Sequence, residues 1–222
     1  IKECDWSSDV CSSDLVHHDS ERKDRLAVVD AEGKSWPRIL AEGFDFYTQP
    51  RWSPDGKRFA FIAWNHPHMP WDGAQLFVAS VSHDHGGWPH LEGIKQVAGG
   101  DEIAAFQPEF TPDGRSLIYV SDESGFWQLH RHDFANQSSR RLTDASHTEF
   151  GLPNWVQECR TYALSGDGRY AYASANQRGF ARLMRVDLDS GATELVEGLS
   201  AYTDVIQPTD RKSTRLNSSH IP

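Results

Sequence analysis

The sequence predicts an all-β fold: a partial β-propeller of four-stranded antiparallel blades, about three full blades plus two partial ones. Three observations predict it. The stretch Ser53-Pro54-Asp55-Gly56 returns as Thr111-Pro112-Asp113-Gly114 and, worn, as Ser165-Gly166-Asp167-Gly168, at offsets of 58 and 54 residues. A repeat of that period built on a hairpin is the signature of propeller blades. The flanking residues Phe59 to Trp64 are apolar on both strand faces, as a strand buried on both sides requires. No stretch carries sustained helical periodicity.

The repeat has turn chemistry at each position. Serine can bond the backbone ahead of it, proline presets φ near −65°, aspartate tolerates the third position and glycine takes positive φ. A type I turn followed by such a glycine joins hairpin strands. An ordinary antiparallel sandwich could also use repeated tight turns, but three copies in register favour blades.

In chain order, Leu26–Asp30 reads as a short strand, Ala31–Lys34 as a turn and Trp36–Leu40 as the next strand. These are expected to be the outer strands of a partial blade. Glu42–Phe46 crosses to the first full blade, about 46–100, with strands ending at Trp52, over Phe59–Trp64, over Gln75–Val81 and near Ile94–Val97. Two insertions, Asn65–Gly73 and Ser82–Gly93, are expected to lengthen it. The second full blade spans about 106–143 and the third about 153–197. Ala201-Tyr202-Thr203-Asp204 echoes Phe46-Tyr47-Thr48-Gln49 and would open another blade.

Of 222 residues, 22 are basic and 32 acidic, a net charge of −10, which argues against nucleic-acid or anionic-membrane partners. No apolar run approaches the roughly 20 residues that cross a bilayer. Residues 1–15 and 211–222 are Ser-rich, lack strand periodicity and resemble translated sequencing-adaptor DNA at the ends of metagenomic genes. They are set aside as non-native tails, leaving 16–210 as the propeller domain. Cys4 and Cys11 leave with them, and Cys159 alone supports neither a disulfide framework nor a cysteine metal site. A cytoplasmic location is expected. A closed propeller has at least four blades, so this chain reads as a piece of one, with apolar blade faces uncovered at both ends and poor solubility expected.

Several runs carry a family resemblance. They are Phe46–Gly56; Trp64-Asn65-His66-Pro67-His68-Met69-Pro70-Trp71-Asp72-Gly73; Phe106–Gly114; Val120-Ser121-Asp122 with Gly125-Phe126-Trp127; and Glu149-Phe150-Gly151 with Trp155. Over about 16–208 the chain resembles the propeller of prolyl oligopeptidase family serine peptidases, in the acylaminoacyl-peptidase and dipeptidyl-aminopeptidase branch. The turn motif is shared with many propellers, TolB-like binding proteins included; the Trp-x-His-Pro-x-Met-Pro-Trp-Asp run is far more specific. The resemblance implies a propeller capping a C-terminal α/β-hydrolase domain that carries a Ser-Asp-His triad on a G-x-S-x-G elbow. No G-x-S-x-G occurs in this sequence, so no catalytic residue is carried over.

The expected function is therefore the substrate-gating propeller of a peptide-hydrolysing serine peptidase, inactive without its hydrolase domain. Its expected partners are that domain and peptide substrates, with no cofactor and no metal. The alternative is a non-enzymatic TolB-like propeller that binds proteins. A propeller hydrolase with a channel metal would need convergent ligands that the sequence does not offer.

Candidate interface or cavity residues are His66, Met69, Trp71 and Asp72 in the Asn65–Gly73 insertion, with Glu102 and Glu109. The insertion either lines the hydrolase interface or substrate cavity, or plugs the blade. His66-Pro67-His68 lacks a third ligand for a metal. The resemblance implies that Asp101, Glu102 and Glu109 could hold a substrate's amino terminus, as carboxylate pairs suit ammonium groups; ordinary solvated acids are the other reading. His17, His18, His83, His85 and His90 read as surface residues.

Overall fold

The computed structural model describes residues 23–144, 147–154 and 159–200, the side chains of 198–200 excepted. Both set-aside tails, Trp155 and the Ala201–Asp204 echo lie outside the described residues.

The repeated turn forms as its chemistry dictates. Ser53 N donates to Arg58 O at 2.9 Å and Gly56 N to Ser53 O at 2.8 Å. The Ser53 hydroxyl accepts Arg58 N at 2.8 Å and donates to Asp55 Oδ1 at 2.6 Å. Thr111–Asp113 and Ser165–Asp167 repeat the hydroxyl–carboxylate bond at 2.7 and 2.6 Å. The closing glycines, Gly56, Gly114 and Gly168, sit at φ 66°, 66° and 68°, a region open to glycine at little cost. The third copy, without proline, closes the same way. The three aspartates are held below the usual carboxylate range, first of all by the hydroxyl bond.

Each turn joins two strands of an antiparallel sheet, four-stranded in the first two blades and five-stranded in the third. The first blade pairs β3 (Phe46–Trp52), β4 (Arg58–Trp64), β5 (Gln75–His83) and β6 (Pro89–Ala98) in chain order. The second pairs β7 (Ala105–Phe110), β8 (Ser116–Ser121), β9 (Gln128–Asp133) and β10 (Ser138–Arg141). The third holds β11 (Thr148–Glu149), β12 (Tyr162–Leu164), β13 (Tyr170–Gln177), β14 (Phe180–Asp187) and β15 (Thr193–Ser200). Ahead of them, β1 (Leu26–Val28) and β2 (Arg38–Ala41) form a two-stranded partial blade.

Strand alternation sends each blade's side chains to both neighbours. From β4, Phe59, Phe61 and Ala63 pack with Leu26, Leu40, Tyr47 and Phe77 toward the partial blade. Ala60 and Ile62 point the other way, into a core shared with Leu117, Tyr119 and Leu129 of the second blade. That core continues through Tyr162, Ala171, Ala173 and Val186 of the third. On β13, Tyr170 and Tyr172 alternate with these alanines and are only half-buried.

Three details depart from the sequence reading. The 82–93 insertion is not a loop: β5 and β6 run on through it, with Val81 opposite Leu91 and Ser82 opposite His90. Asp84 closes the extended hairpin by accepting Gly86 N and Trp88 N at 2.8 and 2.9 Å. Trp36 lies outside the partial blade's second strand and is 89% exposed. The inner strand of the third blade begins at Thr148 rather than near Pro153, and is split. Both β11 and β12 pair with β13, at its end and its middle. The described residues between them, 150–154 and 159–161, lie outside the sheet. In the first two blades a register shift after Thr48 and after Phe106 occupies the corresponding place.

Candidate functional site

A four-stranded meander puts its turns on alternate ends. The Ser-Pro-Asp-Gly corners share one end of the blades. The β4–β5 loop, the β6–β7 crossing, the β8–β9 loop and the start of β11 share the other. Contacts bear this out: Ala105 N donates to Ala74 O at 3.0 Å and Phe150 N to Trp127 O at 2.8 Å. A Cβ on Gly73 would stand 2.7 Å from Asp101 O and 2.8 Å from the His68 ring, so the insertion is pressed onto the 101–102 turn.

The insertion is tied down at both ends. Asn65 Oδ1 accepts Asp45 N at 2.8 Å, and Asp45 Oδ2 accepts His66 N at 2.9 Å. The His66 ring lies 4.8 Å from that of Phe46. Asp72 Oδ1 accepts Met69 N at 2.6 Å, closing a turn that leaves Met69 44% exposed. Trp71 is half-buried and Asp72 exposed. The structure thus gathers His66, Met69, Trp71, Asp72 and Glu102 at the loop end.

Glu109 is not among them. It lies at the far end of β7, on the side of the Thr111 corner, while Glu102 precedes that strand. Its Oε1 faces Arg51 Nε at 3.3 Å and Arg160 Nη2 at 2.8 Å, with only 12% of the side chain exposed. Two guanidiniums already satisfy this carboxylate, and each comes from a neighbouring blade. A carboxylate pair between Glu102 and Glu109 does not form.

Sequence reasoning missed a second pair of acids at the loop end. Asp122 Oδ1 accepts Ala104 N at 2.8 Å, and Glu149 Oε2 accepts Trp127 N at 2.5 Å. Burial pushes both carboxyls above their ordinary range; for Glu149 the nearby Asp122 charge adds to the push. Asp122, in Val-Ser-Asp, and Glu149, in Glu-Phe-Gly, stood in the resemblance runs without an assigned role. The Phe126 and His147 ring centroids approach to 6.1 Å beside them. This end therefore carries aromatic and acidic side chains. Among the described residues, no group of three His, Cys, Asp or Glu side chains could hold a metal ion.

Beneath the loops, the inner strands are stitched together by glutamines. Gln49 Oε1 accepts Gln107 N at 2.6 Å, and Gln49 Nε2 donates to Cys159 O at 3.0 Å. Gln107 Oε1 accepts Thr161 N at 2.6 Å, and its Nε2 donates to Tyr162 O at 2.7 Å. Both glutamines sit at φ 51°, inside the register shifts. The Gln-Pro repeated within the Phe46–Gly56 and Phe106–Gly114 runs is the sequence signal for this stitching.

No protein-family profile matches the chain. Its structure is similar to a puromycin-hydrolysing peptidase of Mycobacterium tuberculosis, with a TM-score of 0.74, 28% identity, and coverage of 84% of this chain and 28% of that one. A second puromycin hydrolase matches at TM-score 0.74 and 32% identity with the same coverage. In sequence, the Tol-Pal system protein TolB of Bordetella pertussis is 27% identical over 141 residues, 48% of this chain and 31% of the relative. The chain spans less than a third of the length of each of these relatives. A TolB structure from Agrobacterium tumefaciens, 18% identical at TM-score 0.52, shares the fold. In fold and in sequence, the chain resembles the β-propeller part of prolyl oligopeptidase family peptidases.

Proposed function

We propose that this chain is the substrate-gating propeller portion of a serine peptidase, in the acylaminoacyl-peptidase and dipeptidyl-aminopeptidase branch. Peptide hydrolysis would proceed through an acyl-enzyme on a serine of an α/β-hydrolase domain outside these residues. The loop end, with Met69, Trp71 and the 101–102 turn, would face that domain and the substrate cavity. The observation that carries the reading is the likeness to two puromycin-hydrolysing enzymes over 84% of the chain at TM-score 0.74. A cytoplasmic location belongs to the same proposal.

The test is made on the full-length protein. A fluorophosphonate probe should label one serine outside residues 1–222, and short peptides should be cleaved. Trp71→Ala should then alter kcat/KM for peptides more than it alters the melting temperature. Peptide kinetics left unchanged, with a lower melting temperature, would make the insertion a structural plug instead. A second reading, a protein-binding propeller without catalysis, is favoured by the TolB match over 141 residues. Absence of both labelling and hydrolysis would replace the first reading with this one.

A further inference from the structure

A cleft of about 600 Å³ opens between the outer strands of the first and second blades. It lies away from the loop end and is bounded by residues of this chain alone. Strand pairing explains its lining. Arg58 stands opposite Ser80, and Lys95 opposite Val78, on the blade face that also carries Ala60 and Ile62 toward the second blade. Across the gap stand His132, Phe134 and Ser139. The small side chains of Ser80 and Ser139 and the bare backbone of Gly93 leave space between the blades.

The charge of the cleft contrasts with that of the chain. The protein carries −10 overall, yet among the described residues no carboxylate lines this cleft, and two cations do. The Arg58 guanidinium is stacked 4.5 Å from the Phe134 ring centroid, and its hydrogen bond to Gly114 O is long at 3.5 Å. Asp55 is within electrostatic reach of it. Lys95 is exposed. Val78, Val97 and Phe134 supply an apolar wall between them. His132 is buried, its Nδ1 3.0 Å from Ser139 Oγ, and burial holds its pKa below the usual imidazole value, so it serves as a neutral polar contact. A cleft of this volume, its lining divided about evenly between polar and apolar groups, has room for a small molecule. An arginine preorganised on an aromatic ring suits a planar anion.

We propose that this cleft binds a small carboxylate with a short apolar body. The carboxylate would lie with Arg58 and Lys95, and the body on Val78, Val97 and Phe134. The site is independent of any peptidase activity.

The experiment is isothermal titration of the full-length protein with 4-phenylbutyrate, and with its neutral analogue 4-phenylbutyramide. Binding of the acid should exceed that of the amide by about tenfold or more, the worth of a charge-assisted contact. It should weaken as salt is raised. Lys95→Glu, at an exposed position, should reduce affinity for the acid by a similar factor while the circular dichroism spectrum is unchanged. Arg58→Gln should act in the same direction. No binding of the acid, equal binding of acid and amide, or full affinity in a folded Lys95→Glu variant would each overturn the proposal. The acid–amide comparison uses the unaltered chain, so misfolding of a variant does not remove the test.

Discussion

The side-chain oxygen of Gln49 accepts the backbone N–H of Gln107 at 2.6 Å, and the two residues are 58 positions apart. That separation equals the spacing of the Ser53 and Thr111 corners. Gln107 repeats the contact with Thr161 at 2.6 Å and 54 positions, again the corner spacing. The repeat that shapes each hairpin therefore also places the group that joins one blade to the next.

Gln107→Ala should cost about 2–4 kcal/mol of unfolding free energy, because Thr161 N and Tyr162 O would lose their partner inside the core. Urea denaturation measures this. Gln96→Ala is the control: its side-chain bond to Gly99 O is exposed, and the change should fall within about 0.5 kcal/mol.

Glu109→Leu should cost about 3 kcal/mol, since Arg51 and Arg160, 15% and 24% exposed, would keep their charges without this counterion. Adding Arg51→Met to that variant should recover part of the loss. A simple sum of the two single effects, read from denaturation midpoints, would contradict the coupling.

His130 gives the fold a dependence on pH. Its side chain is 1% exposed, and burial, with Arg141 nearby, pushes its pKa from 6.5 down to about 4. Glu123 Oε1 stands 3.4 Å from its Nδ1. The unfolded chain binds the proton first, so stability should be full above about pH 6.5 and fall as pH drops toward about 4. The loss from this residue should be on the order of 3 kcal/mol. His130→Phe, which retains a ring against Tyr119, should flatten that part of the stability–pH curve.

Gly151→Ala should destabilise by about 1–3 kcal/mol through overpacking. The new methyl would stand 2.8 Å from Val120 Cγ1 and 2.9 Å from Phe106 Cε1 and Trp127 Cβ. Gly166→Ala, with nothing within 4 Å, should change the melting temperature little.

The corners and the two-faced strands were legible because both are local: a proline–glycine turn and an unbroken apolar run need no distant partner to be recognised. The β5–β6 extension was not, because Ser82, His83 and His90 show no apolar alternation; backbone pairing and the Asp84 bonds carry that hairpin. The split before β12 was hidden because the halves of that inner strand join only through β13. Of the site residues, His66, Met69, Trp71 and Asp72 stood out by composition. Glu109 could be named from sequence, but its satisfaction by Arg51 and Arg160 depends on three blades meeting. Asp122 and Glu149 looked like ordinary strand-end acids, and only burial distinguishes them.

Thr161, just ahead of β12, stands four residues before its corner as Gln49 and Gln107 do before theirs, and its hydroxyl oxygen is buried without a hydrogen-bond partner. The stitching is therefore directional: each blade reaches forward to a successor, and the third copy has only a short arm to offer. Because Gln49 reaches both Gln107 N and Cys159 O, one side chain of the first blade clamps its two successors at once, so these three repeats are held as a set and not as separable pairs.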